Sequence, residues 1–135
     1  MKLVVDTNVL ISAIIKIGKT RQILFDFKFD FFTPAYTLTE LNKHKNEICN
    51  KAGINEFEFS YFSDILFKYV KIIHPDFYSS FFEEASVLIK DVKDVPFLAC
   101  AMALECGIWS NDKGFKKQTN VNIFTTKELI EVTKD

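Results

Sequence analysis

Cysteine, glycine, proline and arginine are all scarce in this 135-residue chain, and each shortage excludes something. Three cysteines (Cys49, Cys100, Cys106) are an odd number without zinc-like spacing, so neither a disulfide framework nor a zinc finger is expected. Cys100 and Cys106 fall within an apolar helical pattern and read as buried thiols, which suits a reducing cytoplasmic compartment. Four glycines and three prolines allow only short connections. Arg21 is the one arginine among 17 basic residues. Bidentate arginine readout of bases is thereby nearly unavailable, and sequence-specific recognition of a duplex is not expected. Neither sign of charge dominates, with 17 basic against 18 acidic residues and a net charge of −1. A protein that coats nucleic acid by bulk charge would be far more basic, so any such contact must be local.

Long apolar runs are missing as well. None approaches the ~18–20 residues that a spanning helix needs. The first run stops at Asp6, short of the roughly 7–15 apolar residues of a secretory signal. The expectation is a cytoplasmic protein with no membrane segment. What remains is an ordinary globular balance, 48% hydrophobic and 26% charged, with 15 phenylalanines, most of them clustered at Phe25 to Phe32, Phe57 to Phe67 and Phe77 to Phe82. Most of these should fill a core, and a surplus could form an oligomer surface, here a homodimer. A chain of this length buries roughly 65–70% of its unfolded surface as one unit, so residues 1–135 are read as a single domain.

Periodicity divides the chain into alternating elements. Lys2–Val5 is a short apolar run of the kind found in a buried parallel strand. Further strands are expected at Phe29–Thr33, Tyr69–Ile73, Ile108–Ser110 and Val121–Phe124. Helical spacing covers Asn8–Ile17, closed by Gly18, and Thr20–Phe27, capped by Thr20. A long polar helix, capped by Thr37 or Thr39, runs to Ala52 and ends at Gly53. Helices follow at Glu56–Phe67, Phe77–Lys90 and Asp94–Glu105, the last with Pro96 in its first turn and Gly107 as its stop. Asn111–Lys117 reads as a turn with a short helix, and Thr125 or Thr126 caps a final helix through Val132. Five strands alternating with helices predict a three-layer α/β/α sandwich around a five-stranded, mainly parallel sheet.

Ligands of such sheets bind at the carboxyl ends of the strands, beside a topological switch point. Asp6 directly follows the first strand, and Asp112 follows the Ile108–Ser110 strand. Asp94 opens the helix that feeds that strand, and Glu40 lies early in the helix after the second strand. Singly, each acid has an ordinary use: Asp6 and Asp94 as helix caps, Asp112 as a turn residue, Glu40 as a solvated helix position. Together, acids at several strand ends repel one another unless a cation is present. Mg2+ and Mn2+ prefer oxygen ligands and bind through a few carboxylates, waters and substrate phosphate. That chemistry serves phosphodiester hydrolysis. His44 and His74 have no partner that would make a nucleophilic triad.

The residues also carry a family resemblance. Val4-Val5-Asp6-Thr7-Asn8-Val9-Leu10 resembles the opening of a PIN-domain nuclease, and Pro34 followed by Glu40-Leu41 is similar to that family's second acidic position. Asp91-Val92-Lys93-Asp94-Val95-Pro96 resembles its third, and Trp109-Ser110-Asn111-Asp112-Lys113-Gly114-Phe115 its fourth. The four segments stand in the family's order and span nearly the whole chain. The resemblance implies a PIN fold and an Mg2+- or Mn2+-dependent ribonuclease with Asp6, Glu40, Asp94 and Asp112 as catalytic and metal-holding acids. It further implies that Asn8 orients the first aspartate or a metal-bound water, and that Ser110 is the hydroxyl residue near the site. Asp91, one helical turn before Asp94, is either an extra ligand or a solvated loop residue.

Many small PIN proteins are VapC-like toxins paired with an antitoxin protein, which implies either that role or RNA processing. A non-catalytic RNA-binding or scaffolding module is the third reading. Ser-Asn-Asp in the fourth segment departs from the Thr-Arg-Asn type of many toxin relatives. Lys43 and Lys45 near Glu40, and Lys113, Lys116 and Lys117 near Asp112, are candidates for contacting RNA phosphates without reading sequence. Single-stranded RNA fits best, with bases stacked on aromatics such as Phe115 or Tyr36. A phospho-receiver domain with Asp76 as acceptor shares the alternating plan but leaves Glu40, Asp94 and Asp112 without work.

Overall fold

A computed structural model describes residues 1–134; Asp135, the last residue of the expected domain, lies outside the described residues. Strand β1 (Lys2–Val5) is buried on both faces after its first residue, which is why its sequence is continuously apolar instead of alternating. Helix α1 (Thr7–Ile15) follows at once, and α2 (Lys19–Leu24) after a short link. Thr20 lies inside α2 and does not cap it; Gly18 holds the N-cap position. Strand β2 (Asp30–Pro34) leads into α3 (Tyr36–Lys43) and α4 (Lys45–Ala52). The long polar helix expected here is therefore two helices, broken at His44 with φ −100° and ψ 9°. The break lets α4 pack on α1 and α5 while α3 keeps its own contact with α1. Gly53 ends α4 in the left-handed conformation, φ 68°, which glycine adopts without a Cβ penalty.

Helix α5 (Glu56–Tyr69) begins with a capping box between Asn55 and Glu58, each side chain taking the other's backbone N–H. Strand β3 (Val70–Ile73) comes next. The helix expected over Phe77–Lys90 is mostly irregular: two 3-10 turns, Pro75–Phe77 and Ser79–Phe81, precede a short α6 (Phe82–Leu88). Then come α7 (Val95–Leu104) and β4 (Gly107–Trp109). A 3-10 turn (Lys113–Lys117), β5 (Ile123–Phe124) and α8 (Thr126–Thr133), capped by Thr125, complete the chain. Gly107 does not stop α7. Glu105 does so, in the left-handed region at φ 53°. Gly107 is instead the first residue of β4, where a Cβ would meet the Asn122 carbonyl at 2.8 Å and the Phe124 ring at 2.9 Å. The absent side chain lets β4 and the segment before β5 approach.

All five strands are parallel, in the order β3-β2-β1-β4-β5. The chain builds outwards from β1 through β2 to β3, then crosses back to add β4 and β5 on the other side. The direction of winding thus reverses between β1 and β4, and their carboxyl ends flank the switch point. Two cores sandwich the sheet. Leu3 and Val5 face one core with Leu10, Ile14, Leu24, Ile48, Leu66 and Leu129, supplied by α1, α2, α4, α5 and α8. Val4 and Ile108 face the other with Phe97, Leu98, Cys100 and Tyr78, under α6 and α7. Cys100 is fully buried, and burial pushes its thiol up to about 12; Cys106 is half-buried. Several phenylalanines stay outside, with Phe27, Phe57 and Phe77 largely exposed. No helix among the described residues is long and apolar enough to cross a membrane.

Candidate active site

Asp6 leaves β1 at the switch point and is only 7% exposed. It occupies the N-cap position of α1, yet its carboxylate makes no capping hydrogen bond. Ser110, buried just beyond β4, donates from Oγ to Asp6 Oδ2 at 2.8 Å. The same Oγ accepts the Asp112 backbone N–H at 3.0 Å. One hydroxyl therefore ties the ends of β1 and β4 together and sets the start of the Asp112 turn.

Asp94 stands at the N-cap of α7 and, like Asp6, makes no capping hydrogen bond. Capping therefore does not account for Asp94, and the hydrogen bond that holds the Asp6 carboxylate comes from Ser110. Asp112 keeps part of its ordinary use, since its Oδ1 accepts the Gly114 N–H at 2.9 Å. A Cβ added at Gly114 would sit 3.3 Å from Asp112 Oδ1 and 3.7 Å from Asp94 Oδ2. Glycine there leaves open the space between the two carboxylates. Glu40 projects from α3 and accepts a hydrogen bond from Thr7 Oγ1 at 2.5 Å.

The electrostatics show how near these groups come. Burial pushes Asp6 up to about 6, with Glu40 and Asp112 adding to the rise and the Ser110 hydrogen bond opposing it. Asp94 rises to about 7, through burial first and then through Asp91, Asp112, Asp6 and Glu40. All four acids thus lie in one electrostatic neighbourhood. They are not drawn into a closed ligand set: among the described residues, no three His, Cys, Asp or Glu side chains are gathered closely enough to hold a metal ion. The donor set is all oxygen, with open space beside Gly114. Such a set fits a hard cation that keeps several waters and takes a few carboxylates.

The supporting residues divide. Asp91 is exposed, and its Oδ1 accepts the Lys93 N–H at 3.0 Å, a loop turn, although its charge still reaches Asp94. Asn8 is exposed on α1 and lines a groove with Ile11, His44, Glu47 and Lys51; among the described residues its side chain makes no hydrogen bond to Asp6. Lys43, Lys113 and Lys117 are exposed, while Lys116 is tied to Glu128 at 3.2 Å. Lys45 is half-buried and faces Glu56 at 3.9 Å. Phe115 is no stacking platform: it is fully buried and packs edge-on against Phe97. Hydrophobic content looks alike in a core and on a binding face, so the sequence could not separate them. Tyr36 is half-buried beside the site, its hydroxyl raised by burial and by Glu40 and Asp91. Asp76 is exposed after β3, with its carboxylate 3.6 Å from His74 Nδ1.

Sequence reasoning missed Thr7, Thr33 and Thr37, which are all buried between β2, α1 and α3. Thr37 or Thr39 was expected as a helix cap, but both lie within α3, behind Ala35 at the N-cap position, and Thr37 bonds to Thr33 and Thr7 instead. Capping and burial favour the same residue type, and only the tertiary structure distinguishes the two.

Comparison with curated proteins gives no match. A solved structure described as VapBC2 from Rickettsia felis bound to a DNA fragment from their promoter is similar over 93% of this chain and 98% of that one. The TM-score is 0.66 at 20% identity, a likeness of fold alone. The sequence profile of the PIN domain matches residues 4–132. With that match over almost the full length, and with the acidic positions meeting at the switch point, the chain belongs to the PIN-domain family of nucleases.

Proposed function

We propose that this protein is a metal-dependent ribonuclease that hydrolyses RNA phosphodiester bonds at the carboxyl edge of its sheet. The observation that carries the reading is Asp94, a half-buried acid without a capping bond that feels Asp6, Glu40 and Asp112 at once. Asp6, Glu40, Asp94 and Asp112 would hold Mg2+ or Mn2+. When bound, such an ion supplies an activated water and neutralises charge on the leaving oxygen. The chain's own part is positional. Ser110 fixes the Asp6 carboxylate, and Gly114 keeps the space between Asp94 and Asp112 clear. Lys113, Lys117 and Lys43 offer cations to a single-stranded phosphate backbone, and Tyr36 offers a ring at the site's rim.

The biological role that fits is the toxin of a toxin–antitoxin pair. The VapBC2 neighbour supports a protein partner, as does an apolar groove of about 210 Å³ lined by Ala13, Ile14, Phe25, Phe62, Ile65 and Leu66. Exposed Phe27 and Phe57 also suit a protein contact, with an antitoxin or with a second copy as a homodimer. A non-catalytic RNA-binding PIN module is the second reading, favoured by the lack of a gathered three-ligand group among the described residues. Crystals soaked in Mn2+ decide between them. An anomalous peak among Asp6, Glu40, Asp94 and Asp112 is expected, and none at saturating metal would overturn the nuclease reading.

A further inference from the structure

Four short contacts link strand β1 to the Glu40 carboxylate through three buried threonines. Thr33 Oγ1 donates to the Val5 carbonyl at 3.0 Å, and lies 2.7 Å from Thr37 Oγ1. Thr37 Oγ1 is 3.0 Å from Thr7 Oγ1, and Thr7 Oγ1 donates to Glu40 Oε1 at 2.5 Å. Each hydroxyl has one proton, while a carbonyl and a carboxylate only accept. Three protons therefore serve four contacts.

The directions follow from that count. The Thr33 proton is taken by Val5, so the 2.7 Å contact needs the Thr37 proton. Thr37 then presents only lone pairs to Thr7. The Thr7 proton has two acceptors in reach, Thr37 Oγ1 and the charged Glu40 Oε1, and the charge-assisted bond wins. Removing the carboxylate leaves nothing orphaned, because Thr7 can turn to Thr37 and complete a chain of donors ending at Val5.

We propose that Thr7 is a positioning residue for Glu40, with Thr37 as the competing acceptor for its hydroxyl proton. The dependence runs one way: Glu40 needs Thr7 for its orientation, and the buried hydroxyls do not need Glu40. The inference rests on the reading of Glu40 as a metal-holding acid.

The test is calorimetric titration of Mn2+ into metal-stripped wild type, Thr7→Val, Thr7→Ser, Thr37→Val, Glu40→Gln and the Thr7→Val/Glu40→Gln double variant. Thr7→Ala replaces Thr7→Val if circular dichroism shows that variant unfolded. Groups that orient metal ligands typically contribute about 10–100-fold to affinity, so Thr7→Val should weaken Mn2+ by at least about tenfold. Thr7→Ser should restore most of that loss. Thr37→Val should bind at least as tightly as wild type, since it removes the competing acceptor. In the Glu40→Gln background, Thr7→Val should cost nothing more. Unchanged affinity in Thr7→Val, a defect in Thr37→Val equal to it, or a further loss in the double variant would each overturn the proposal. A wild type that binds no Mn2+ would instead overturn the nuclease reading, and this inference with it.

Discussion

Replacing Asp6 by asparagine removes a charge that the fold buries beside two other acids, and should stabilise the metal-free protein. Burial and the charges of Glu40 and Asp112 raise Asp6 from its usual 3.8 to about 6. A group raised in the folded state lends stability that is fully present below its unfolded value and is lost as pH climbs through the folded one. The loss therefore develops between about pH 4 and pH 6 and is complete above it. The difference between 3.8 and about 6 is worth about 3 kcal/mol. Asparagine can still accept from Ser110, and the stronger bond that the charged oxygen makes is already counted in that difference. The gain for Asp6→Asn at pH 8 is therefore about 3 kcal/mol, a rise of roughly 8–15 °C in Tm for a domain of this size. Relief of Asp94, which Asp6 also raises, adds to it in the same direction. Thermal unfolding in EDTA at pH 4 and pH 8, wild type against variant, measures the difference with the other titrating groups largely cancelled. A large gain at pH 8 that vanishes by pH 4 is expected. Destabilisation at pH 8, or a gain independent of pH, would refute the reasoning.

Added Mn2+ should raise the wild-type Tm at pH 7.5 by mass action, reaching about 2.7 kcal/mol at a hundredfold excess over Kd, and Asp6→Asn should lose most of that response in the same melting assay. Ser110→Ala leaves the buried Asp6 oxygen and the Asp112 N–H without their shared partner, so urea unfolding should show a loss of about 1–3 kcal/mol. Lys113→Ala with Lys117→Ala should weaken RNA binding and flatten its salt dependence by about one to two contacts, whereas Lys116→Ala should do less because Lys116 is paired with Glu128. A fluorescence titration across salt concentrations reads both.

Much of the fold was legible because buried parallel strands and their following acids leave a plain mark in the chain. The run Lys2–Val5 stops at Asp6 because the strand ends where the crevice begins, and Asp112 marks the same edge one strand away. The misplaced features share a different cause. His44 breaks a helix that periodicity runs straight through, since the break answers to the packing of α4 on α1. Glu105 terminates α7 where Gly107 was expected to, because Gly107 is needed for the close approach to Asn122 and Phe124. Within the site, the acids could be named from their positions at strand ends. The hydroxyls of Thr7, Thr33 and Thr37 could not, because threonine serves equally as a cap, a strand residue and a buried link. Phe115 shows the converse: a place beside the site in the chain does not dictate which way the side chain faces.

The central claim is tested most directly by incubating a labelled single-stranded RNA with wild type in Mn2+, with wild type in EDTA, and with the folded Asp6→Asn/Asp94→Asn variant in Mn2+. Cleavage by the first alone is the predicted result. Cleavage that persists in EDTA or in the variant, or none by wild type with Mn2+ bound, would contradict it.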